Sequence, residues 1–222
     1  DGAENTDVSR QMLARLAEQN VNVVIFTPHY YHYNEPINEF LGRRDMAFMD
    51  IKPITEELGI LSLLACETYL TEDLLNERDL SDLCISGTRL LLTEAPIGSG
   101  FTNKDVFLIE RLIDNFGVTP VLAHIERYPK LLESRTLLYE LQEMGCLTQI
   151  NLSSLLETSW FIRKKLLRLL ADNQIHFVAT DCHRMDFRPP DYVKYFEHMK
   201  KKLGEEQCVR LQTGMRRRLG IE

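Results

Sequence analysis

The sequence predicts an α/β protein built on a parallel sheet. Six short apolar runs alternate with amphipathic helical patterns, and none shows the polar–apolar alternation of a half-exposed antiparallel strand. The chain has 222 residues, 44% hydrophobic and 27% charged. That is enough to bury a sizeable core, so residues 1–222 are expected to form one barrel-sized domain.

The elements follow in order. A loop and a helix over Val8–Gln19 open the chain without a preceding strand. A β/α barrel supplies that strand upstream, so the first strand is expected ahead of Asp1. Strands are expected at Val21–Thr27, Ile60–Cys66, Arg89–Thr93, Pro120–His124, Leu147–Asn151 and His176–Thr180. Helices are expected within Glu39–Leu58 and at Lys104–Phe116, Glu133–Met144 and Trp160–Asp172. Two more, Pro190–Leu203 and Glu205–Leu219, close the chain. Pro53 falls inside the second helical pattern and is expected to break it or to begin it. Whether the sheet stays open or closes on itself is not fixed by the pattern.

Composition excludes several function classes. The formal charge of −7 argues against a nucleic-acid backbone as the main partner. No run approaches the roughly 18–20 apolar residues of a membrane span. Cys66, Cys84, Cys146, Cys182 and Cys208 are odd in number, scattered and without a C-x-x-C pair. That usage suits a reduced, cytoplasmic protein better than a disulfide framework.

Side chains able to bind metal fall at strand ends. His29 follows "VVIF", Glu67 follows "LLAC", Glu94 ends "LLLTE", His124 follows "PVLA", and Asp181 and His183 follow "FVAT". In β/α barrels the C-terminal strand ends converge on one face, where active sites are built. Any one of these residues has an ordinary structural use, as a hydrogen-bonded histidine or a helix-capping carboxylate. Shared placement on five strands points to a metal cluster. Carboxylates mixed with imidazoles suit Mn, Fe or Zn, and Arg127 and Arg188 are placed to neutralise phosphate oxygens. His32, His176 and His198 are read as structural or solvated.

Cys182 and Arg188 stand in a C-x5-R spacing, which raises a thiolate phosphatase as a rival. "CHRMDFR" has no glycine with which to cradle a phosphate, and Asp181 beside the thiol works against a thiolate. Cys182 is read as a small filler between two ligands.

The segments "TPH", "CETYL", "LTEAP", "LAHIERYPK", "QINLSSLL" and "ATDCHRMDFRPP" resemble one family along essentially the whole chain. These are bacterial metal-dependent tyrosine phosphatases of the polymerase-and-histidinol-phosphatase (PHP) class, encoded with capsule and exopolysaccharide synthesis genes. The resemblance implies a distorted (β/α)7-type barrel holding three divalent ions, manganese first among the candidates. Glu67 would bridge the first and second ions, with Asp181 on the first. Glu94 and His124 would complete the second, and Asp1, His29 and His183 would hold the third. Arg127 and Arg188 would grip the phosphate, and Asp181 could serve as a proton donor. The family's opening strand carries an H-x-H pair, which does not occur here and is expected upstream. The implied reaction is hydrolysis, by metal-bound hydroxide, of phosphotyrosine on the tail of a bacterial autokinase that controls capsule synthesis. The alternatives are a small-molecule phosphatase of the histidinol-phosphate type and a non-catalytic, metal-depleted scaffold.

Overall fold

A computed structural model describes residues 2–97 and 100–221. All its strand pairings are parallel. β1 (Val23–Phe26) pairs with β3 (Leu61–Leu64), and β2 (His29–Tyr30) pairs with β4 (Glu67–Tyr69). β5 (Leu90–Glu94), β6 (Thr119–Leu122), β7 (Leu147–Asn151) and β8 (Phe177–Ala179) then continue from β4.

Both expected N-terminal strands end early, at Phe26 and Leu64, and each is followed by a short second strand past its expected end, a correction with a simple cause. Pro28 has no N–H to donate, so the ladder lapses at Thr27–Pro28. It does not slip: Phe26 faces Leu64 and His29 faces Glu67 in the same register. The Phe26 and Pro28 carbonyls still accept from Ala65 and Glu67, at 2.9 and 3.0 Å. The second correction concerns Pro53. The helix α2 (Ile37–Glu57) follows α1 (Thr6–Glu18) and runs through the proline without a break. Pro53 lies on the exposed side, beside exposed Met49. The carbonyl it leaves unpaired one turn back can therefore be hydrated.

The sheet curls. Strands are spaced about 4.8 Å apart, so a flat sheet of this size would separate its first and last strands by about 24 Å. Instead the His29 ring at β2 lies 6.4 Å from the His183 ring just beyond β8. Helices α3 (Asn103–Phe116), α4 (Pro129–Glu133), α5 (Arg135–Glu143), α6 (Ser154–Glu157) and α7 (Trp160–Ala171) connect the later strands. α8 (Tyr192–Leu203) and α9 (Glu205–Arg218) end the fold. One main core runs from Tyr30 to Cys208, with Leu91, Leu108, Leu122, Ile150 and Leu166 fully buried within it.

Helix ends show why these segments begin where they do. Asn5 accepts from the Val8 N–H to start α1, and Ser159 accepts from the Ile162 N–H to start α7. Gly117, at φ 60°, closes α3 in a left-handed turn. α8 is capped from a distance. Gln19, just past α1, accepts from the Tyr192 and Val193 N–H groups at 2.8 and 3.0 Å and donates to the Pro190 carbonyl at 2.6 Å. Arg15 of α1 pairs with Asp191 beside it. The first helix thus ties down the segment that follows the last strand.

Candidate metal and phosphate site

Parallel strands bring the chemistry to one rim. His29 and Glu67 are register partners on β2 and β4, and Glu94 ends β5. The Glu67 carboxylate lies 2.7 Å from His124 Nε2 through Oε1 and 3.7 Å from His29 Nδ1 through Oε2. The same His124 nitrogen is 3.3 Å from Glu94 Oε1. Among the described residues, candidate ligand atoms of His29, Glu67 and Glu94 lie within 4.8 Å of one another.

Glu67, Glu94 and His124 are all buried, where two carboxylates are costly without positive charge between them. The protein answers with His124. Burial alone would depress its pKa, but the Glu67 and Glu94 carboxylates outweigh burial and hold the imidazole at about 9. Burial raises Glu94, yet His124 more than offsets this and draws it below the ordinary glutamate range. Meanwhile His124 Nδ1 is buried with no hydrogen-bond partner. Two carboxylates, two imidazoles and an orphaned ring nitrogen make a donor set that fits a divalent cation.

This arrangement has a definite pH signature. The ordinary pKa of 6.5 is raised in the fold to about 9, so the His124 proton stabilises the metal-free protein fully below 6.5. That contribution declines as pH rises through about 9. A cation ligated by His124 would displace the same proton. Metal affinity is therefore expected to rise with pH across this window, with proton release, as calorimetry in buffers of different ionisation enthalpy would detect. Affinity independent of pH between these limits would contradict it.

Asp181 organises the other half. Its Oδ2 accepts from Asn151 Nδ2 at 2.7 Å, Arg127 Nη2 at 3.0 Å and Arg188 Nη1 at 3.2 Å. Arg188 Nη1 also lies 3.4 Å from His183 Nε2, and Arg127 Nη1 lies 3.9 Å from Glu94. Two guanidiniums thus converge on one anionic oxygen at the border of the carboxylate cluster. The structure brings His29, Glu67, Glu94, His124, Asp181, His183, Arg127 and Arg188 to one rim; Asp1 lies outside the described residues.

Backbone strain marks the same residues. The positive-φ residues other than glycine among those described are Asn20, Asn173, His124, Asp181 and Arg188. Asparagine, aspartate and histidine enter that region more readily than other side chains. Arg188 does not, and it sits at the site with His124 and Asp181, each held by several partners.

Several contributors were not visible in the sequence. Gln149 and Asn151 share one face of β7, the strand that delivers no acid or imidazole. Gln149 Oε1 accepts from the His124 backbone N–H at 2.5 Å, and its Nε2 donates to Asn151 Oδ1 at 3.0 Å. Glu126 accepts from the Asn151 backbone N–H and the Ser154 hydroxyl, at 3.0 and 2.8 Å. Burial pushes the Glu126 carboxyl upward despite these bonds. Tyr128 Oη donates to the Ala95 carbonyl and accepts from its N–H, both at 2.9 Å, tying the turn after Glu94 to the turn bearing Arg127. Tyr128→Phe leaves that buried N–H unpaired and is expected to cost about 1–3 kcal/mol in urea unfolding. A loss below about 0.5 kcal/mol would show the tie to be incidental.

Tyr31, Tyr33 and Tyr69 form an aromatic wall beside the cluster. Their ring centroids lie 5.4–6.2 Å apart, and Tyr31 stacks on His29 at 5.6 Å. Burial, then the nearby Glu94, Tyr33 and Glu67, raises the Tyr31 phenol pKa. Of the histidines set aside from the sequence, His32 pairs with Glu77 at 3.0 Å and His176 accepts from the Thr148 N–H at 3.1 Å. His198 is half-buried rather than solvated, because α8 packs against α6 and α7.

Cys182 is poorly placed to act as a nucleophile. Burial, together with neighbouring Asp181, raises its thiol pKa against a hydrogen bond with Thr180. No helix begins within the loop; α8 starts ten residues on, at Tyr192. The thiol therefore lacks the amide cradle that a thiolate phosphatase needs.

A protein-family model described as "Capsular polysaccharide synthesis, CpsB/CapC" matches residues 1–217. The chain belongs to the CpsB/CapC family. Over 220 residues it is 28% identical to the tyrosine-protein phosphatase CpsB of Streptococcus agalactiae serotype III, covering 95% of this chain and 89% of that one. Over 216 residues it is 28% identical to the tyrosine-protein phosphatase YwqE of Bacillus subtilis, covering 93% and 81%. Crystal structures of YwqE and of Streptococcus pneumoniae CpsB are described as unique metal-dependent tyrosine phosphatases. Their comparison gives a TM-score of 0.79 at 22% identity, covering 100% of this chain and 90% of the other. That likeness establishes the fold of this CpsB/CapC member as a mixed α/β fold with a curled parallel sheet.

Proposed function

We propose that this CpsB/CapC protein is a metal-dependent tyrosine phosphatase acting in capsule or exopolysaccharide synthesis. The observation that carries the reading is the convergence of Arg127 and Arg188 on one anionic oxygen beside the buried Glu67–Glu94–His124 cluster. A cation site and an anion clamp share a border, as phosphomonoester hydrolysis requires. Curated relatives named as tyrosine phosphatases support it.

On this reading the curled sheet is the larger part of a single-domain, distorted (β/α)7-type barrel. Three divalent ions, manganese first among the candidates, would occupy the rim, held by Glu67, Asp181, Glu94, His124, His29, His183 and Asp1. Bound ions would supply Lewis acidity and lower the pKa of a water. The protein's own groups do the rest. Arg127 and Arg188 take the phosphate oxygens and fix their orientation. Asn151 and Gln149 hold Asp181 and the His124 turn in place. The tyrosine wall favours an aryl ester over histidinol phosphate, because a ring leaving the clamp meets ring faces and edges. The phosphotyrosine tail of a capsule-controlling autokinase, in the cytoplasm, is the expected substrate.

The test is hydrolysis of a phosphotyrosine peptide, a phosphoserine peptide and histidinol phosphate, with and without chelator, in the native protein and in Cys182→Ser. The reading expects phosphotyrosine to be preferred, activity to vanish with chelator and return with manganese, and Cys182→Ser to stay active. Activity that resists chelation but is lost in Cys182→Ser would overturn the metal reading. Preference for histidinol phosphate would overturn the substrate.

A further inference from the structure

Away from the metal rim, one surface departs from the acidic character of the chain. Between Glu157 and Asp172 the sequence carries Arg163, Lys164, Lys165 and Arg168 and no acid, in a protein of net charge −7. α7 buries Leu166, Leu169 and Leu170 against the core. Its first turn instead presents Trp160 and Phe161 to solvent, 66% and 57% exposed. Lys164 lies over the Trp160 ring at 5.0 Å and Lys165 over the Phe161 ring at 4.4 Å. Two adjacent aromatic side chains therefore project outward, each with an ammonium group on its face.

The last turn of α8, which packs against α7, adds a basic stripe of Lys200, Lys201 and Lys202. Lys200 is paired there with Glu205, Lys194 is paired with Glu157 in the first turn of the helix, and exposed Glu197 lies between them. This surface adjoins the proposed phosphatase site. A cleft of about 530 Å³ is lined by Arg127, Asp181 and Arg188 at one side and by Glu157, Thr158 and Lys194 at the other. Trp160 follows Thr158 by two residues.

We propose that the first turn of α7 and the basic stripe of α8 form a docking surface for an anionic lipid bilayer, seating the protein with its cleft beside the membrane. The charge is complementary to acidic headgroups, and each lysine or arginine near such a surface adds attraction that salt screens. Trp and Phe rings partition into the headgroup–acyl boundary, and lysine stems reach from there toward phosphates. A bilayer also fits better than an acidic peptide. The two rings stand out from the surface, 66% and 57% exposed, with an ammonium group over each face, a shape suited to a flat boundary. The contact is peripheral: among the described residues, no helix is long and apolar enough to cross a membrane.

Trp160 is the only tryptophan in the chain, so its emission reports directly on the patch. The full chain is titrated with vesicles of phosphatidylcholine alone and with roughly a third phosphatidylglycerol, followed by fluorescence and co-sedimentation. The expected result is a blue shift and sedimentation with the anionic vesicles only, reversed by about 0.5 M salt. The double variant Lys164→Glu/Lys165→Glu should bind at least about tenfold more weakly. Phe161→Ala should weaken binding as well, with melting temperature and phosphotyrosine hydrolysis unchanged in both variants. Absence of both shift and sedimentation at low salt would overturn the proposal. So would a blue shift with polyglutamate and none with vesicles, which would give the surface to an acidic protein segment. Because hydrolysis is read separately, failure of the docking leaves the phosphatase reading untouched, and the converse also holds.

Discussion

Glu67→Gln is expected to lower kcat/KM for a phosphotyrosine peptide by at least about 10³-fold, the largest effect of any single exchange. The substitution keeps the shape of the side chain and removes one charge. Glu67 is the residue the cluster shares, since one oxygen meets His124 and the other faces His29. Without its charge, His124 loses the first of the two carboxylates that hold its proton, and the donor set loses its most connected anion. The fold should survive, because His124 and Glu94 remain as a neutralised pair 3.3 Å apart. The decisive readouts are activity and manganese stoichiometry. Activity within tenfold of native, with metal still bound, would remove Glu67 from the site.

Arg127→Lys and Arg188→Lys are each expected to cost about 10²-fold in kcat/KM, and the double variant much more. Lysine keeps the charge but not the fork that can hold two phosphate oxygens. Both guanidiniums close on Asp181 Oδ2. Removing one still leaves that oxygen with the other and with Asn151 Nδ2 at 2.7 Å, so the loop should keep its place. Inhibition by inorganic phosphate should weaken in parallel with activity. Undiminished phosphate inhibition in both variants would show that the arginines serve the fold and not the substrate.

What was legible in the sequence follows from geometry. Parallel strands deliver their last residues to one rim, so acids and imidazoles at strand ends could be read as a group. Nothing comparable marks Gln149 and Asn151. Amide side chains are common in strands, and their value here lies in a network that spans three elements. The left-handed backbone of Arg188 was equally hidden, since arginine is not a residue type that announces a positive φ. Pro53 misled because the rule against proline in helices is weakest on an exposed face. Pro28, never singled out, was the proline that interrupted a ladder. The tyrosine wall was invisible for another reason: Tyr69 ends β4, whereas Tyr31 and Tyr33 lie in the loop after β2.

Gln19 gives the loop from Thr180 to Asp191 a second fixed end. β8 holds one side, and the bonds from Gln19 to Pro190, Tyr192 and Val193 hold the other. Asp181, His183 and Arg188 all lie between these two anchors. The loop is therefore ordered when the protein folds and not when phosphate arrives, so binding need not include the entropy of arranging it. A residue just past the first helix, remote in sequence from every proposed ligand, would in this way help set how tightly the proposed clamp takes its anion.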